Sequence, residues 1–168
     1  MALETWPWNT LASLANDAPA YRPGKGILGV TIYLAGSMRN SAVPEVANKL
    51  RAEGYDVFDD WWSSGEKADD NWQAYEKLRG RTFTQALAGY HAQNAYALDL
   101  KHLSRADILV LLLPAGKSAH IEMGWMIGKG KRAYILLDGE PNRYDIMYNF
   151  ATGVFTNLED LITELRRD

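Results

Sequence analysis

The chain of 168 residues contains no cysteine. That excludes disulfides, thiolate metal sites and cysteine nucleophiles together, and it points to a reducing compartment. Long apolar runs are also missing: nothing approaches the roughly 18 consecutive apolar residues of a membrane span. The opening MALETWPWNTL has neither a basic start nor an apolar targeting core, so a cytoplasmic protein with no membrane partner is expected. Excess basic charge is absent too. Lys and Arg number 18 against 21 Asp and Glu, a formal charge of -3, with no basic cluster, which disfavours a nucleic acid polymer as partner. The three histidines are separated by 11 and 18 positions, so no pair shares a helical turn. Neither a metal nor another cofactor is expected.

What is present is enough apolar material for one core: 47% of residues are hydrophobic and 23% charged, the balance of a single globular domain. Residues 1–26 hold two Trp and three Pro without a sustained period and read as an N-terminal extension, docked through Trp6 and Trp8. The domain proper spans 27–168. Ile27 to Ala35 (ILGVTIYLA) reads as a buried strand, followed by a polar turn from Gly36 and a helix over Val43 to Glu53 that Gly54 terminates. Tyr55 to Phe58 gives a second short strand. Residues 59–81 form an acidic insertion carrying Trp61, Trp62 and Trp72, too polar for core and too aromatic for an idle linker. Helical spacing of Phe83, Leu87, Tyr90, Asn94, Leu98 and Leu103 predicts one long helix over Thr82 to Ser104. Then come an apolar strand Asp107 to Leu113, a turn at Pro114 to Gly116, a helix Ser118 to Lys129, a strand Arg132 to Leu137 and a helix Asn157 to Arg166 capped by Asn157.

Strands alternating with helices, and apolar on both faces, predict an α/β fold: a flavodoxin-like or Rossmann-like doubly wound parallel sheet of about five strands with helices on both faces. Ligands of such sheets sit beyond the carboxyl ends of the strands, where strand order switches. Two loops are therefore candidates, Gly36-Ser37-Met38-Arg39-Asn40 and Pro114-Ala115-Gly116-Lys117-Ser118.

Two tempting motifs fail on context. Gly24, Gly26 and Gly29 spell G-x-G-x-x-G but precede the first strand, whereas the dinucleotide fingerprint works in the turn after it. Gly116-Lys117-Ser118 matches the end of a P-loop, but Leu111 stands where that pattern requires glycine. Two residues carry more. Glu122, in HIEMGWMIGKGK, sits early in a helix among Ile121, Met123, Trp125, Met126 and Ile127, which leave it little solvent; it is either a functional carboxylate or an ordinary first-turn acid. Arg39, with the loop amides after Gly36, suits an anion; the alternative is a solvated surface arginine.

Taken together, Ile32 to Asn40 (IYLAGSMRN), Asp99-Leu100-x-x-Leu103-x-x-Ala106-Asp107 and Gly116 to Gly124 resemble the nucleoside 2-deoxyribosyltransferase family, in motif form closest to its 2′-deoxynucleoside 5′-monophosphate N-glycosidase branch. The resemblance covers roughly residues 27–150. It implies that Glu122 is the nucleophile at C1′ of the sugar and that Asp99 is a second site acid that orients it or handles a proton near the base. It further implies that Ser37, Met38, Arg39 and Ser118, with Gly36 and Gly116 in the same loops, line the sugar and phosphate pocket, and that Asp145 meets the sugar 5′ end of a neighbouring subunit in a homodimer or higher oligomer.

The chain also departs from the pattern. Gly116 stands where transferases carry a base-handling acid, and Asp145 where the phosphate-specific branch has a hydroxyl, so Arg39 speaks for a phosphate and Asp145 against it. Trp61 and Trp62 either form a stacking lid for the base or pack the insertion onto the domain. The leading expectation is an enzyme that cleaves or exchanges the N-glycosidic bond of a nucleoside or its 5′-monophosphate. A nucleotide-binding or sensing module without turnover, and an NAD-type glycohydrolase, are the alternatives.

Overall fold

The computed structural model describes residues 28–167; the extension 1–26, its Trp6 and Trp8, and Ile27 lie outside them. The strands are β1 (Thr31–Ala35), β2 (Asp56–Phe58), β3 (Ile108–Leu112), β4 (Arg132–Leu136) and β5 (Gly153–Phe155). The α-helices are α1 (Val43–Ala52), α2 (Ala68–Leu78), α3 (Phe83–Leu87), α4 (Tyr90–Arg105), α5 (Lys117–Gly128) and α6 (Leu158–Leu165), with short 3-10 turns at Asp60–Ser64 and Ile146–Phe150. All strand pairs are parallel, in the order β2-β1-β3-β4-β5. The α/β doubly wound fold read from the sequence is the fold observed.

The alternation of side chains along each strand divides the core in two. Ile32 and Leu34 of β1, Val110 and Leu112 of β3, and Leu136 of β4 face α1 and α6, where Val43, Leu50 and Leu161 close the layer. Tyr33, Ala35, Leu109, Leu111 and Ile135 face the other way, onto Leu103 of α4 and Met123 and Met126 of α5. Both faces of β3 are buried along its whole length, which is why its sequence is continuously apolar. Caps behave as their residues dictate: Gly54 takes φ 94° just past α1, and Asn157 Oδ1 accepts the Asp160 N–H at 2.9 Å at the start of α6.

Four expectations need correction. The first strand begins at Thr31, where the Asp107 carboxylate accepts the Thr31 N–H at 2.9 Å; Leu28 and Gly29 form a turn before it. The helix read over Thr82 to Ser104 is two helices. Thr82 opens α3 with a capping box to Gln85, and Gly89, with extended backbone, opens α4. A Cβ on Gly89 in this extended conformation would stand 2.7 Å from Arg81 Nη1, so a larger residue here would displace that guanidinium. Leu103 is buried, but Phe83 and Tyr90 are 70% and 90% exposed, so the long apolar stripe is not a core face within one chain. Finally, the three-residue β5 joins the sheet edge through a ladder with β4, a pairing too short to leave a period in the sequence.

Candidate active site

The strand order reverses direction between β1 and β3, so the loops that follow these two strands flank the crevice at the carboxyl edge of the sheet. Ser37, Arg39, Asn40, Pro114, Ala115 and Gly116 line a cavity of about 260 Å³ there. Met38 belongs to the first of these loops, whereas Ser118 lies in the first turn of α5. The first loop is held by its own short side chains: Ser37 Oγ accepts the Arg39 N–H at 3.2 Å, and Asn40 Oδ1 accepts the Ala42 N–H at 3.0 Å. In the second, Gly116 stands immediately before α5, whose first-turn amides lack intrahelical partners.

An ionisable cluster lies on the α4 and α5 face of the sheet; none of its residues lines the loop cavity. The Tyr33 hydroxyl donates to Glu122 Oε1 at 3.0 Å, which joins the middle of β1 to the second turn of α5. Burial pushes the Glu122 carboxyl up to about 7; the Tyr33 hydrogen bond pulls it back, and the charge of Asp99 on α4 raises it further. Burial also lifts Asp99 above the usual carboxylate range. The Tyr33 hydroxyl is raised as well, by burial first and then by Glu122 and Asp99, so it remains a donor. Two carboxyls held above their ordinary range beside a fixed phenol form a cluster able to change protonation near neutral pH. Of the residues expected to shield Glu122, Met123 and Met126 are buried, whereas Ile121 is 72% exposed.

Tyr33 escaped the sequence reading. Its signal was a phenol inside an otherwise aliphatic buried strand, since a buried tyrosine hydroxyl requires a partner. His120 was also missed. Its Nδ1 lies 2.8 Å from the Gly116 carbonyl, which can only accept, so Nδ1 carries the proton and Nε2 accepts from the Tyr148 hydroxyl at 3.3 Å. The second loop is thereby tied to the turn that contains Tyr148.

The remaining expected residues are placed as follows. Arg39 is largely exposed and donates to Asp70 of α2 at 3.1 Å. Asp145 is exposed, and its Oδ1 accepts the Met147 N–H at 3.0 Å at the start of the Ile146–Phe150 turn. Trp61 donates its indole N–H to the Leu34 carbonyl at 2.8 Å and Trp62 donates to the Asn40 carbonyl at 3.1 Å. Both are half-buried against the domain, so they staple the insertion to the end of β1 and to the first loop. Among the described residues no group of three or more His, Asp or Glu is arranged to hold a metal, and no helix is long and apolar enough to cross a membrane.

No family model and no curated protein matches the sequence. Solved structures do. The chain is similar to a CMP N-glycosidase from Clostridium botulinum (14% identity over 81% of this chain and 98% of that chain, TM-score 0.49). It is also similar to a 2-deoxyribosyltransferase from Bacillus psychrosaccharolyticus (18% identity, 79% and 90% coverage, TM-score 0.53). A third is a conserved protein from Enterococcus faecalis V583 (15% identity, 82% and 98% coverage, TM-score 0.56). At these identities the latter two likenesses establish a common fold over most of each chain, the fold in which one of them is a 2-deoxyribosyltransferase.

Proposed function

We propose that the protein breaks, or exchanges, the N-glycosidic bond of a nucleoside or nucleoside 5′-monophosphate through a covalent glutamyl-sugar intermediate. The observation that carries this reading is the hydrogen bond from Tyr33 to Glu122, with the Glu122 carboxyl raised by burial and by the charge of Asp99. The ionised Glu122 carboxylate attacks C1′ as the bond to the base breaks, and the bonding pair leaves with the base. Asp99, whose charge bears on Glu122, orients the nucleophile or relays a proton from solvent to the departing ring nitrogen. The Tyr33 hydroxyl orients Glu122 and stabilises its anion. In the second step water, or the nitrogen of a second base, attacks C1′ and releases Glu122; two displacements give overall retention. The fold shared with a 2-deoxyribosyltransferase agrees with this chemistry.

The loops after β1 and β3 would take the sugar and its 5′ substituent, with Arg39 exchanging Asp70 for a phosphate. Asp145 and Met147 of one subunit would close the pocket of a neighbour. In support of this, Tyr144, Ile146, Met147 and Phe150 are each more than half exposed, an apolar patch that a second copy would cover. Tyr148, by contrast, is engaged by His120 of its own chain.

The test is incubation of the wild type and Glu122→Ala with ribo- and deoxyribonucleosides and their monophosphates, with and without an added free base, followed by chromatography of released base. Release by the wild type and its loss in the variant support the reading. Tight binding without release would make the protein a binding module instead, and turnover by Glu122→Ala would remove Glu122 as nucleophile.

A further inference from the structure

The helix α5 opens at Gly116, which lines the crevice and has no side chain with which to cap the first-turn amides. The backbone of Gly116 is held instead by two hydrogen bonds in series. The Tyr148 hydroxyl lies 3.3 Å from His120 Nε2, and His120 Nδ1 lies 2.8 Å from the Gly116 carbonyl. The two rings also stack, with centroids 6.1 Å apart and planes 22° from parallel. Burial, and then the charge of Asp145, raise the Tyr148 hydroxyl, so it keeps its proton and stays a donor. Tyr148 itself packs, half-buried, against the core layer that contains Ala119 and Met123. The Ile146–Phe150 turn is thereby fastened to the loop after β3 of the same chain.

From these contacts we infer that His120 is a positioning residue of the ligand edge: with its proton placed on Nδ1 by Tyr148, it fixes the Gly116–Lys117 peptide and so aims the Lys117 N–H. A neutral imidazole that accepts at one nitrogen carries its proton on the other, so the Tyr148 hydroxyl selects the tautomer that the Gly116 carbonyl needs. The peptide group is planar and trans, so a carbonyl that is held also fixes the N–H on the opposite side of the same plane. Because α5 starts where β3 ends and runs back along the sheet, that N–H points out of the helix start toward the carboxyl edge. This role rests on the reading that the crevice takes the sugar and its 5′ substituent. It adds to Arg39, on the first loop, a backbone donor from the second. No proton reaches the reacting bond through His120; its effect is on where the 5′ end is held.

The experiment reads the imidazole nitrogens of the ¹⁵N-labelled protein at about pH 8, where a free imidazole is neutral, with His120→Asn identifying the His120 signals. His120 should carry its proton on Nδ1, and Tyr148→Phe should return it wholly or partly to Nε2. The Lys117 amide resonance should shift in His120→Phe, which keeps a ring and removes both contacts. It should stay near its wild-type position in His120→Asn, whose amide can still donate to the carbonyl one turn back. Binding is then measured by calorimetry in Glu122→Gln, which lacks the nucleophile, for 2′-deoxyadenosine, 2′-deoxycytidine and their 5′-monophosphates. Adding His120→Phe should weaken the monophosphates about tenfold, the loss of one charge-assisted hydrogen bond, and the nucleosides less than about threefold. Adding His120→Asn should restore most of the monophosphate affinity, a rescue that a purely structural role for the ring would not give. A His120 proton on Nε2 in the wild type, a tautomer indifferent to Tyr148→Phe, or equal weakening of monophosphates and nucleosides would overturn the inference. Absence of binding in every arm, with the tautomer and the Lys117 resonance as expected, would instead overturn the substrate reading and uphold the hold of His120 on the loop.

Discussion

Glu122→Gln should stabilise the folded protein at neutral and alkaline pH while removing its nucleophile. The Glu122 carboxyl has an ordinary value of 4.5 and is raised to about 7 in the fold, by burial above all. The folded state therefore holds the proton more tightly than the unfolded chain. The associated stability is fully present below about 4.5 and is lost as pH rises through about 7. Across the whole window the loss amounts to about 3 kcal/mol, and between pH 5 and pH 8 to roughly 2–3 kcal/mol. Glutamine keeps the shape and an acceptor for Tyr33 but does not titrate. The stability of the variant relative to wild type should therefore rise by that amount from pH 5 to pH 8, which for a chain of this size is roughly 5–10 °C in melting temperature. Urea unfolding followed by tryptophan fluorescence at each pH reads the difference directly. Asp99 is present in both proteins, and its coupling to Glu122 is part of the difference that is read. A difference that stays flat with pH would show that Glu122 ionises in the fold as it does in the unfolded chain, and the account of the site would fail with it.

Tyr33→Phe removes the one contact that lowers the Glu122 carboxyl, so the acid limb of the activity profile should move to higher pH, and an unmoved limb would show that Tyr33 does not act on Glu122. Asp99→Asn should slow release of base by roughly 10²–10⁴-fold, the usual share of a positioned proton donor, whereas unchanged turnover would assign the proton to water. Arg39→Ala should raise the Michaelis constant for a monophosphate by about tenfold or more and that of the nucleoside far less; equal effects would mean that the anchor reads a hydroxyl. Mixing inactive Glu122→Ala with inactive Asp145→Arg should restore part of the activity if subunits share pockets, and no recovery despite demonstrated exchange would refute sharing.

Much of this protein was legible in its sequence because the relevant forces are local. Continuous apolar strands at β1, β3 and β4, separated by helical segments, require a sheet covered on both faces, and the turns after β1 and β3 follow as the ligand edge. Arg39 stood out by its place in the first of those turns, and Glu122 by its place among apolar residues early in the helix that follows the second. Other features depended on contacts between segments distant in the chain. Tyr33 and Glu122 are 89 positions apart and become partners only because β1 lies beside β3, against α5. Gly89 lies against Arg81, whose guanidinium is drawn to Glu76, a contact between two helices that the spacing of apolar residues does not show. Trp61, Trp62 and Trp72 are equivalent as letters, and the tertiary structure alone decides which indoles find a carbonyl and which one is left without an acceptor among the described residues. The sequence thus determined the sheet and its faces, through periodicity and turn chemistry. The tertiary structure decided the protonation of the carboxyls and the pairing of the polar groups, because burial and distance belong to the assembled fold and not to any one segment.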